Sequence, residues 1–369
     1  MAIFDNNFLF ESSADIDVKS ISADMSVEPT MESVVEMNAE LNESVYKLNT
    51  SLYIADLVME QSGHTSLLEA SVGDYFEKAK ASFKQLWEKI KGFFKNLLTK
   101  MTAMLSTGKN FITKYKPVIA KINANNAADY AIYNETEGTA PEDPGRMKSF
   151  VSDGSGFSKR IAKLTAAQTE IQKAVENSFK AGSKESKTIS DEIASKEESA
   201  YKEATAGNTI VATDNKECKK SFKELYTQKS TKMKNVVTKA MINDMLAYCE
   251  LWISTGKSAV QKAQVESDRA IKMSINAINA FEKEQSRAQK ENESNMTAVT
   301  NAVSAMKRLV TTANYINGIT FSTFNRAYSS YIGLLKKFVS KNSKLVKRAD
   351  IAKKESYTDS ILDSIMGSF

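Results

Sequence analysis

Between residues 31 and 339 apolar side chains return every three or four positions, and only four prolines and fourteen glycines occur in all 369 residues. That spacing puts the apolar residues of each stretch on one stripe of an α-helix, and the scarcity of breakers leaves little room for the frequent turns of a β fold. The first stripe runs through Val34, Met37, Leu41, Val45, Leu48, Leu52, Ala55 and Val58. After Gly63 and a plausible cap between Ser71 and Asp74, the second runs through Phe76, Ala79, Phe83, Leu86, Ile90, Phe93, Leu97, Met101 and Met104, widened by Trp87, Phe94, Leu98 and Leu105. Later stripes follow at residues 158–175, 214–255, 257–281, 296–313 and 315–339. The expected fold is all-α, an elongated multi-helix bundle with long amphipathic helices.

Breaks in the pattern suggest an organisation. Residues 1–69 form an acidic N-terminal segment, an arm followed by a helix. Residues 70–122 form a cationic amphipathic segment in which Gly108 and Pro117 frame a short final piece. Residues 123–157 contain two prolines, four glycines and six acids against two bases, which reads as a loop or linker. Residues 158–369 form a helical bundle with a basic C-terminal part. Within it, the run 282–295 lacks an apolar face and reads as solvated helix or hinge.

Charge is distributed unevenly along this order. The first 69 residues carry thirteen acids against Lys19 and Lys47, a net of −11, so with +5 on the whole chain residues 70–369 carry +16. Such asymmetry suits a polyanionic partner for the basic part, or an acidic segment that masks it; it is equally the charge any set of solvated helices carries. Two clusters stand out. The helix at 74–106 combines its aromatic stripe with seven lysines, the composition of an interfacial membrane helix and equally of a bundle helix whose lysines face water. On the first reading Phe76, Phe83, Trp87, Ile90, Phe93, Phe94 and Leu97 are the membrane or partner face, set against an anionic membrane surface. The second cluster, Lys336, Lys337, Lys341, Lys344, Lys347, Arg348, Lys353 and Lys354 against Asp350 alone, is a candidate for nonspecific DNA phosphate contacts, because lysine favours backbone attraction over base readout.

Catalytic patterns are missing at the level of residue types. His64 is the only histidine and has no Cys or Asp at a suggestive spacing. Gly256-Lys257-Ser258 ends like a phosphate-binding loop, but Leu251 stands where that loop needs glycine; Gly108-Lys109 is preceded by Ala103 and followed by Asn110. Cys218 and Cys249 form no CxxC pair, which points to a reducing compartment and no zinc site. The reading is a non-enzyme without cofactor or metal. It has no signal peptide at Met1–Asp17 and no apolar run able to span a bilayer.

The acidic head, the helix FEKAKASFKQLWEKIKGFFKNLLTKM and the long Lys/Glu-rich helices together resemble internal head or other virion structural proteins of large tailed bacteriophages. That resemblance implies synthesis in host cytoplasm, residence in the virion, other virion proteins as partners, and maturation cleavage after a Leu/Ile-x-Glu sequence. Leu67-Leu68-Glu69-Ala70 is similar to such a site, as is Leu9-Phe10-Glu11-Ser12. A cut between Glu69 and Ala70 would separate the −11 segment from the +16 body. The alternatives to a virion protein are a membrane-interacting helical protein anchored by residues 74–106, or a helical scaffold or adaptor.

Overall fold

The computed structural model describes residues 72–125, 130–131, 143–181, 186–227, 236–287 and 293–366. Seven helices occur among them: α1 (Val72–Asn125), α2 (Pro144–Ser152), α3 (Gly154–Ala181), α4 (Ser186–Ala204), α5 (Asn215–Thr227), α6 (Lys239–Arg287) and α7 (Glu293–Met366). Two residues of β1 (Tyr130–Ala131) pair antiparallel with two of β2 (Val236–Val237), joining the chain after α1 to the chain before α6. The acidic N-terminal segment, with its stripe, His64 and the Glu69-Ala70 bond, lies outside the described residues.

Helix starts follow the local chemistry. Asp143 caps α2 by accepting from the Arg146 N–H at 2.7 Å, with Pro144 at the first helical position, where its missing N–H costs nothing. Asp214 accepts from the Glu217 N–H before α5, and the Thr238 hydroxyl accepts from the Met241 N–H before α6. Positions 143–157 are therefore largely helical, although Pro144, Gly145, Gly154 and Gly156 suggested a linker. Proline and glycine at helix starts mark an entry into helix as readily as a loop.

The long helices also run through breaks that the pattern suggested. α1 continues past Gly108 and Pro117 for 54 residues, about 80 Å at the usual rise. Pro117 leaves one backbone bond unmade, but Tyr115, Val118, Ile119 and Ile122 around it are all buried, so packing outweighs the local penalty. α6 joins the stripes at 239–255 and 257–281, and α7 joins those at 296–313 and 315–339.

Specific contacts give the order of the helices. α1 and α7 run parallel: Lys307 Nζ donates to Ser82 Oγ at 2.7 Å, Ser329 meets Met104, and Lys336 lies over the Phe111 ring. α6 runs antiparallel to both. It meets α1 through Lys80–Glu282, Trp87–Asp268 and Lys116–Glu250, and α7 through Ser267–Asn314 and Trp252–Asn325. α3, α4 and α5 also pack on α7. Between residues 298 and 339 only Arg326 and Lys337 are exposed, which makes α7 the central helix. One apolar core cluster includes side chains from all seven helices, so residues 72–122 and 158–339 share a core.

Close approach at α7 explains one glycine. A Cβ on Gly108 would sit 1.7 Å from the Tyr328 hydroxyl oxygen, whereas one on Gly92 would meet nothing within 4 Å. Gly92→Ala is expected to raise stability by about 1 kcal/mol through helix propensity alone. Gly108→Ala is expected to lower it by about 1–2 kcal/mol, because overpacking against the buried Tyr328 ring exceeds that same gain. Urea melts of the two variants, read for opposite shifts in midpoint, check the assignment.

Candidate polyanion-binding surface and interhelical cleft

The aromatic face of α1 has its partner inside the chain. Phe76, Phe83, Ile90, Phe93, Phe94 and Leu97 are all buried, at most 6 % exposed, in the core shared with α6 and α7. Trp87 is half-buried at the edge of this face. Its indole N–H donates to Asp268 at 2.8 Å, and the Lys91 ammonium lies 4.8 Å from its ring centroid. In this fold the face is not open to a membrane, because burial against α6 and α7 already satisfies it.

The exposed flanks of α1, on either side of the buried stripe, are cationic. From residue 89 to residue 125 the helix carries Lys89, Lys91, Lys95, Lys100, Lys109, Lys114, Lys116 and Lys121 and no acid. All but Lys100 are exposed; Lys100 is half-buried. Lys116 pairs with Glu250 at 2.5 Å, which removes part of its charge from the surface. Nearer the start of the helix, Lys80 is held above its usual pKa by hydrogen bonds to Glu77 and then Glu282, so it serves the packing instead.

The C-terminal basic cluster is split by the fold. Lys336 is buried, with its ammonium 5.5 Å from the Phe111 ring centroid, so it is a packing residue and not a phosphate contact. Lys337 is exposed. Lys341, Lys344, Lys347 and Arg348 continue the helix, and their side chains lie outside the described residues. Parallel packing of α1 and α7 brings this stretch towards the lysine-rich half of α1, since Phe111 on α1 is level with Lys336 on α7. Residue spacing alone gives no sign of that juxtaposition.

A cleft of about 720 Å³ opens between α2, α3, α6 and α7. Trp252, Phe321 and Phe324 give it an aromatic wall, with Asn317, Thr320 and Thr165 among them and Lys159, Lys262 and Glu266 exposed at its sides. The wall is fixed from behind: the Trp252 indole N–H donates to Asn325 at 2.9 Å, Trp252 meets Phe324 edge to face, and the Tyr248 hydroxyl donates to the Phe324 carbonyl at 2.7 Å. Sequence reasoning missed this cleft. Its only trace is the recurrence of Asn and Thr among the apolar residues of 311–325.

Both thiols are shielded. Burial pushes the Cys218 pKa up to about 12 and that of Cys249 well above the ordinary thiol range, leaving little thiolate for nucleophilic chemistry near neutral pH. Among the described residues no three His, Cys, Asp or Glu side chains converge to hold a metal ion, and no helix is long and apolar enough to cross a membrane.

The class that fold and surface define is an all-α helical bundle around a central helix, with lysine-rich exposed flanks on α1. No protein family, curated protein or solved structure matches the chain.

Proposed function

We propose that this chain is a non-enzymatic structural or internal head protein of a tailed-phage virion, and that the exposed lysines of α1 contact the phosphate backbone of packaged DNA. The observation that carries the reading is a run of eight lysines without an acid on a helix whose apolar face is already buried. Seven of those lysines are exposed, although Lys116 is paired with Glu250, and charges on long flexible stems suit sequence-independent attraction to phosphate. Processing between Glu69 and Ala70 belongs to the same reading: it separates the −11 segment from the body and leaves a product of net charge +16. Other virion proteins are the further partners.

The test is the salt dependence of binding to a random DNA duplex, followed by fluorescence anisotropy. Binding is expected to weaken linearly in log–log form as salt rises, and Lys89→Ala/Lys95→Ala/Lys109→Ala together should reduce the slope by about 3. Absence of binding at low salt, or a slope that the triple substitution leaves unchanged, would sink the DNA-contact reading.

A further inference from the structure

The cleft between α2, α3, α6 and α7 is built like a binding site, and the exposed lysines of α1 do not account for it. Its volume falls within the usual range for ligand pockets, and its lining combines aromatic and aliphatic side chains with a larger number of polar ones. Asn317 is 3 % exposed and Thr165 9 %, yet neither side chain has a hydrogen-bond partner among the described residues. Both residues line an open cleft, so their unpaired polar atoms are available to an occupant that bonds to them. A carboxamide offers both a donor and an acceptor, which is what a peptide bond requires. The edges of Trp252, Phe321 and Phe324 that reach the cleft suit aromatic or aliphatic side chains, and Lys159 and Lys262, against Glu266 alone, favour an acidic sequence.

We propose that the occupant is the chain's own segment Phe4-Asp5-Asn6-Asn7-Phe8-Leu9-Phe10-Glu11, docked through its aromatic side chains with Asp5 and Glu11 towards the lysines. The segment supplies three phenylalanines and a leucine within eight residues, with no basic residue before Lys19. Reach is no obstacle. The sixty residues between Glu11 and Val72 span up to about 200 Å when extended, well beyond the length of any helix in the core. Docking also gives a use to Phe4, Phe8 and Phe10, which belong to no helical stripe, and it stands whether or not the protein binds DNA.

The full-length protein carrying a photoreactive benzophenone side chain in place of Phe8 tests the proposal. Irradiation of a dilute sample, followed by peptide mapping, is expected to give intrachain cross-links to residues 158–165, 252–266 or 317–324. The same experiment with Ala162→Trp, an exposed position whose larger side chain fills the cleft, should lose those cross-links without lowering the melting temperature. Absence of cross-links, cross-links confined to other helices, or cross-links that survive the filled cleft would overturn the proposal. So would products of doubled mass mapping to the cleft, which would assign the occupant to a second copy.

Discussion

Phe94→Ala is expected to destabilise the folded chain by about 3–5 kcal/mol, the usual cost of truncating a fully buried phenylalanine. Phe94 is 0 % exposed and packs edge to face on Phe93, with ring centroids 5.3 Å apart. Its loss removes apolar area from the core and leaves a cavity that long, mutually braced helices collapse around only partly. The measurement is equilibrium unfolding in urea, and it discriminates between two uses of the same face. If residues 74–106 worked as an interfacial anchor with their apolar side free, the substitution would leave stability nearly unchanged and weaken vesicle binding. A change below about 1 kcal/mol, within the range of surface substitutions, would therefore count against the buried assignment.

Arg308→Met is expected to cost about 3 kcal/mol, the lower end of the range for breaking a buried ion pair. Arg308 on α7 forms a two-pronged pair with Glu197 on α4, Nε to Oε1 at 2.8 Å and Nη2 to Oε2 at 2.6 Å. The Tyr201 hydroxyl also donates to Glu197 at 2.9 Å. Burial first, and then the Glu197 charge, push the Tyr201 phenol well above its ordinary pKa, so it remains a donor throughout the neutral range. Removing the guanidinium leaves a carboxylate with 11 % of its side chain exposed and one neutral donor. The lower figure is used because a third of the Arg308 side chain is exposed, which lets solvent screen the pair. Glu197→Leu combined with Arg308→Leu should recover most of the loss, since paired apolar replacement avoids the stranded charge. If the double variant proves no more stable than Arg308→Met, the loss reflects packing and not charge.

The lysine-rich flanks of α1 were half legible in the sequence. Lys78 to Lys100 could be assigned to the polar side of α1 because the stripe from Phe76 to Met104 dictates which way each residue points. Lys336 could not, since its burial depends on Phe111, which is 225 positions away and is brought to it by the parallel packing of α1 and α7. The cleft was less legible still. Trp252, Thr165 and Asn317 come from three helices, and no local pattern records that α3, α6 and α7 leave space where they meet.

Helical class, the buried side of α1 and the unevenness of charge were determined by the sequence alone, because each depends on spacing within a few turns or on residue type. Tertiary structure decided which helices are continuous and which one is central. α7 shows this in its polar residues: Thr300, Thr320 and Ser329 donate to the carbonyl four residues back, as does the Asn314 amide. Bonds within the helix satisfy these groups, so a segment with Thr and Asn at many positions can still be enclosed nearly all round. Hydrophobic periodicity reports one buried face per helix; enclosure from every side is settled by the neighbours that pack against it.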